Sequence, residues 1–131
     1  MTHVLIVEDA PDNRTIAELI LIDAGFDVTS VSDGISALAA AASSHPDVIL
    51  MDLSLPHLDG WEATRRLKSD PATSDIPVIA FTAHALPSDI ERAQACGCSS
   101  VIAKPFEIDH FLGQIRKIIQ QPAERSHELN A

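Results

Sequence analysis

Four apolar runs in the chain are broken by no polar residue: Val4-Leu5-Ile6-Val7, Val48-Ile49-Leu50-Met51, Val78-Ile79-Ala80-Phe81 and Val101-Ile102-Ala103. A strand with one face in water alternates apolar and polar residues, so an uninterrupted run belongs to a strand covered on both faces. A weaker run occupies residues 28–31. Between the runs the period changes. Ile35, Leu38, Ala39 and Ala42 follow the i, i+3, i+4, i+7 spacing of a helix with one buried face, and so do Ile108, Phe111, Leu112 and Ile115. Further helices are expected over about residues 13–24, 61–69 and 87–96, the last opening with Pro87 in its first turn. Gly25 and Gly97 stand where C-terminal caps are needed. The pattern is five rounds of strand then helix, and right-handed crossovers convert it into one parallel sheet with helices on both faces, a doubly wound α/β domain.

With 131 residues, 46% of them apolar, the chain can bury one continuous core and has no room for a second domain. The domain is expected to span 1–121, followed by a polar, disordered tail over 122–131. Residues 70–75 form a polar loop with Pro and small residues. A formal charge of −10 repels phosphate backbones and anionic lipid surfaces, which argues against direct nucleic-acid binding. No signal-peptide pattern and no apolar run of membrane-spanning length occurs, so membrane insertion is not expected and a cytoplasmic location is. Cys96 and Cys98 are too close in sequence for an ordinary disulfide and lack a second pair for zinc, so they are read as packing residues.

In a doubly wound sheet, ligands bind beyond the carboxyl ends of the strands. The first run delivers Glu8-Asp9 to that rim, the third strand Asp52, the fourth Thr82 and the fifth Lys104-Pro105. Two unit charges about 4 Å apart repel by about 4 kcal/mol at an effective dielectric of about 20, so three clustered carboxylates need a cation to stay ionised together. Lys104 can supply one. An all-oxygen donor set, with no imidazole or thiolate among the residues expected there, suits a hard ion such as Mg²⁺, with Mn²⁺ able to substitute. A carboxylate is also a competent nucleophile for phosphoryl transfer.

The segments VLIVEDAPDN, DVILMDLSLPHLDG, PVIAFTAHA and VIAKPF together resemble the signatures of the response-regulator receiver family, over residues 2–120. The resemblance implies the flavodoxin-like strand order 2-1-3-4-5. It implies Asp52 as phosphoacceptor, Asp9 as a direct Mg²⁺ ligand, Glu8 acting largely through water, and the backbone carbonyl of Ser54 completing the protein ligands. Thr82 then bonds the phosphoryl group, Lys104 neutralises its charge, and a cis Lys104-Pro105 bond aims the lysine inward. The implied donor is a phosphohistidine on a sensor histidine kinase or histidine phosphotransfer protein. With no output domain expected after the last helix, the signal is read by an unidentified downstream protein or relayed onward, by a monomer or weak dimer. Residues 67–86 further resemble stand-alone receivers of cell-cycle and relay type and receivers fused to hybrid kinases.

Other residues have plainer readings. Asp12 also falls on this rim and fits a cap of the first helix at least as well as a site role, so it is assigned no site function, and Asp59-Gly60 is a turn signal shaping the loop beside Asp52. His84, two residues past Thr82, is either a surface residue or a modulator of water attack on an aspartyl phosphate. His3, His45, His57, His110 and His127 show no ligand-like grouping. Val101 departs from the aromatic residue that receivers commonly carry three positions before the lysine, and the chain contains no tyrosine. A swinging ring is thus not available, and the outward signal is expected to run through the loop after Thr82 and the helix near residues 86–97. Two rival functions compete: a haloacid-dehalogenase-type phosphatase, which needs a second acid where this chain has Ser54, and a binding module that works without phosphorylation.

Overall fold

The computed structural model describes residues 2–53, 55, 58–82, 86–104 and 107–120. Strands and helices alternate in chain order: β1 (His3–Val7), α1 (Pro11–Asp23), β2 (Asp27–Val31), α2 (Gly34–Ser44), β3 (Val48–Asp52), α3 (Gly60–Ser69), β4 (Val78–Thr82), α4 (Pro87–Cys96), β5 (Ser100–Ala103) and α5 (Ile108–Gln120). The strands form one sheet in the order β2-β1-β3-β4-β5, every pairing parallel. This is the doubly wound five-stranded architecture expected from the apolar runs, with the implied order. The tail over 122–131 lies outside the described residues.

The pleat sorts each apolar run between two cores. Val4 and Ile6, Val48 and Leu50, and Ile79 and Phe81 pack with Ala17 and Leu21 of α1 and with Phe111, Ile115 and Ile118 of α5. Leu5 and Val7, Ile49 and Met51, and Val78 and Ala80 pack with Ala37 and Ala41 of α2, Ala63 and Leu67 of α3, and Ala93 of α4. β3 and β4 are buried along their whole length, as an uninterrupted run requires. The outer strands differ: in β5 only Ile102 is buried, and β2 has no fully buried residue. The apolar run at 101–103 therefore marks an edge strand rather than one covered on both faces. An edge strand has one neighbour and fewer helices above it, so fewer of its side chains are enclosed.

Two expected helix faces need correction. In α2 the buried residues are Gly34, Ala37 and Ala41, whereas Ile35 is 60% exposed and Ala39 and Ala42 are also exposed. An alanine-rich helix offers little contrast between faces, and the small residues, not the large one, let it lie close to the sheet. In α5 Phe111 and Ile115 are buried as expected, but Ile108 is exposed and Ile118 completes the stripe. Helix α1 starts earlier than expected, with Pro11 in its first turn; Ala10 is its N-cap and gives no side-chain bond, so Asp12 lies within the first turn and does not cap it. Gly25 (φ 94°) and Gly97 (φ 106°) occupy the left-handed region at the ends of α1 and α4, as the cap reading requires. Cys96 and Cys98 are buried, unpaired packing residues. Among the described residues no helix is long and apolar enough to cross a membrane.

Candidate functional site

The three inner strands and one edge strand deliver their polar residues to a single rim. Glu8 follows directly on β1, Asp52 is the last residue of β3, Thr82 the last of β4, and Lys104 follows directly on β5. Register fixes their alignment: Val7 pairs with Met51, so Glu8 and Asp52 stand one rung further on neighbouring strands. Asp52 itself pairs with Phe81, and Thr82 pairs with Ala103, one residue before Lys104.

Ligand oxygens of Glu8, Asp9 and Asp52 lie within 4.8 Å of one another, with Asp9 exposed to solvent and the other two buried. The Lys104 ammonium stands between the buried pair, its Nζ 2.8 Å from Glu8 Oε1 and 3.4 Å from Asp52 Oδ2. It also lies 4.8 Å from the centroid of the Phe81 ring. The Lys104 backbone is tied to the next strand by N–H donation to the Thr82 carbonyl at 2.8 Å. Thr82 is buried and alternates with Phe81, so it shares the face of Ala80 and Val78.

Burial raises the Glu8 carboxyl from its ordinary value to about 7, a hydrogen bond and like charge from Asp52 push the same way, and Lys104 opposes them. One ammonium does not fully compensate two buried carboxylates. A divalent cation beside Asp9 adds the missing positive charge, and the all-oxygen donor set fits a hard ion of that kind. Two backbone devices steady the cluster. Arg14 Nη1 donates to the Glu8 carbonyl at 3.1 Å, and the Glu8 N–H donates to the Val31 carbonyl at 3.1 Å.

Gly60 contributes by having no side chain. A Cβ there would sit 2.2 Å from the Asp52 carbonyl oxygen and 2.6 Å from the Leu53 Cα, so α3 can begin this close to β3 only with glycine. Asp59 is more than a turn former: it caps α3, its carboxylate accepting from the Glu62 N–H at 2.9 Å. The Asp-Gly pair thus starts a helix pressed against the acceptor strand. Sequence reasoning found Glu8, Asp9, Asp52, Thr82 and Lys104, and the structure brings all five to one rim. It missed Gly60's contact with Asp52, Arg14 and Phe81; glycine after a capping aspartate was the one available signal. Ser54, His84 and Pro105 lie outside the described residues. Val101 is half-buried against the core beneath α2, α3 and α4.

Comparison with known proteins agrees with this geometry. The family model described as "Response regulator receiver domain" matches residues 4–116. The polar-differentiation response regulator DivK of Brucella ovis is 38% identical over 116 residues, covering 88% of this chain and 94% of that protein. The receiver domain of the sensor histidine kinase PA1611 from Pseudomonas aeruginosa, solved with a magnesium ion in its active-site cleft, is 39% identical, with a TM-score of 0.85 over 91% of this chain and 98% of that one. The chemotaxis response regulator CheY4 of Vibrio cholerae is 28% identical with a TM-score of 0.85, covering 90% of this chain and 98% of that one. The chain belongs to the response regulator receiver domain family, the receiving modules of two-component phosphorelay signalling.

Proposed function

We propose that Asp52 accepts a phosphoryl group from a phosphohistidine of a sensor histidine kinase or histidine phosphotransfer protein. The observation that carries this reading is the Lys104 ammonium held between Glu8, at 2.8 Å, and Asp52, at 3.4 Å, beside the three-carboxylate cluster. An Oδ of Asp52 attacks phosphorus, the phosphorus–nitrogen bond of the donor breaks, and its electron pair returns to the imidazole, leaving an acyl phosphate. Asp52 is 4% exposed, so charges around it are weakly screened by water. Lys104 neutralises charge on the transferred oxygens, and Thr82 donates its hydroxyl proton to one of them. Mg²⁺ would be held by Asp9, Asp52, the Ser54 carbonyl and, through water, Glu8, and would supply further charge neutralisation, with Mn²⁺ able to serve in its place.

The chain acts as a regulatory protein whose only catalysis is its own phosphorylation and dephosphorylation. Its output is contact with a downstream protein or onward relay of the phosphoryl group, from a monomer or weak dimer. Val101 supplies no swinging ring, so the signal leaves through the loop after Thr82 and through α4.

The test is mass spectrometry of the full chain after incubation with acetyl phosphate and Mg²⁺. One added phosphoryl group is expected, absent from Asp52→Asn and absent when the cation is chelated. Labelling of Asp52→Asn to the wild-type level refutes the assignment.

A further inference from the structure

The path of the Lys104 side chain singles out a residue beneath it. Along the strands, Ile6 and Glu8, Leu50 and Asp52, and Ile79 and Phe81 share one side of the pleat, and the apolar members all belong to the core beneath α1 and α5. Ile102 belongs to that core too, so Lys104, two residues on, continues the same side. Ile102 pairs with Phe81, and Phe81 pairs with Asp52. Lys104 therefore starts on the edge strand, diagonally adjacent to Phe81, and must cross β4 to reach Asp52 and Glu8 on β3 and β1. The residue it crosses is Phe81, whose ring centroid is 4.8 Å from the ammonium. That distance is within the range of attraction between a cation and the face of an aromatic ring.

The geometry points to Phe81 as a positioning residue for Lys104: its ring forms a floor that keeps the ammonium directed at Asp52 instead of free to swing out on its flexible stem. The inference rests on the acceptor role of Asp52. Phe81 is 2% exposed, so the ring cannot turn away without disturbing the core, and the contact is shielded from water. Lysine carries substantial rotamer freedom, and a floor that attracts the charge limits the loss of productive conformers. An aliphatic residue at 81 would keep the position apolar, as Ile79 and Ile102 are beside it. What it would lack is the negative ring face. A phenyl ring carries no group able to react or to ligate a cation, so its action runs through Lys104.

Two measurements on the full chain test this. In the first, phenylalanine at 81 is replaced by mono-, di- and trifluorophenylalanine, which weaken the negative ring face stepwise at nearly constant shape, and by leucine. Phosphorylation by acetyl phosphate with saturating Mg²⁺ is expected to slow stepwise along the series, reaching about 3- to 10-fold in Phe81→Leu. In the second, without cation or phosphodonor, the Lys104 ε-methylene protons are expected to show an upfield ring-current displacement that disappears in Phe81→Leu. A rate indifferent to fluorination, or a Lys104 resonance unmoved by Phe81→Leu, overturns the inference while leaving Asp52 as acceptor. Absence of any transfer to the wild-type chain overturns the acceptor reading and this inference with it.

Discussion

Gly60→Ala and Gly113→Ala make the same chemical change in two helices and are expected to have opposite effects. At position 60 the new methyl would lie 2.2 Å from the Asp52 carbonyl oxygen, 2.6 Å from the Leu53 Cα and 2.9 Å from the Asp52 carbonyl carbon. Ordinary contact begins at 3.4 Å, so about 1.2 Å must be found between α3 and the end of β3. All three obstructing atoms are backbone, and no side-chain rotation relieves them. Overpacking of this kind destabilises by about 1–3 kcal/mol, and rigid backbone partners put this site at the upper end. Replacing glycine in a helix returns about 0.5–1 kcal/mol, which leaves a net loss of about 2 kcal/mol. At position 113, in α5, a Cβ meets nothing within 4 Å, so only the helix gain remains, about 0.5–1 kcal/mol of stabilisation. Neither glycine has a positive φ, so backbone strain does not enter the comparison. Urea unfolding of the full chain followed by circular dichroism should therefore separate the variants by about 3 kcal/mol, with wild type between them. Displacing Asp52 by about 1 Å should also slow its phosphorylation, by up to about 100-fold. A Gly60→Ala protein as stable as wild type would refute the close-approach reasoning.

Further expectations concern charge and caps. In metal-free protein the Glu8 carboxyl, lifted by burial to about 7, binds its proton more tightly folded than unfolded. Its contribution to stability is fully present below its ordinary value of 4.5 and is lost as pH rises through about 7; urea midpoints compared at pH 4.5, 6 and 8 should show that decline, and a divalent cation should lessen it. Burial pushes the Cys98 thiol up to about 11, so at pH 8 its alkylation by iodoacetamide in the folded chain should be about 100-fold or more slower than that of an unperturbed thiol, as read by peptide mass mapping. Asp59→Ala removes the cap of α3 and should lower stability by about 1 kcal/mol, measured by urea unfolding.

The strands were legible because an uninterrupted apolar run of three or four residues between polar turns fits a strand better than a helix face, and their ends carried the five site residues with them. Where contrast was missing, the sequence misled: the alanines of α2 fit several helical faces equally well, and the large Ile35 drew the choice to the wrong one. Asp12 fitted the chemistry of a cap, yet Pro11 with its fixed φ started the helix earlier. Contacts depending on register were beyond reach. Phe81 reads as plain core in sequence, and only the pairing of β3, β4 and β5 puts it beneath Lys104. Asp59-Gly60 announced a change of direction but not that the following helix would abut the Asp52 carbonyl.

The edge position of β5 bears on how the site opens. Glu8 and Asp52 are anchored on strands enclosed on both sides, whereas Lys104 is carried by a strand with a single buried residue and one neighbour. Marginal strands open at lower free energy than the rest of a domain. A brief excursion of β5 would withdraw the lysine while the carboxylates stay assembled. Amides of β5 should thus exchange with solvent sooner than those of β3, and the protein should sample states that still gather carboxylates yet cannot complete the transfer.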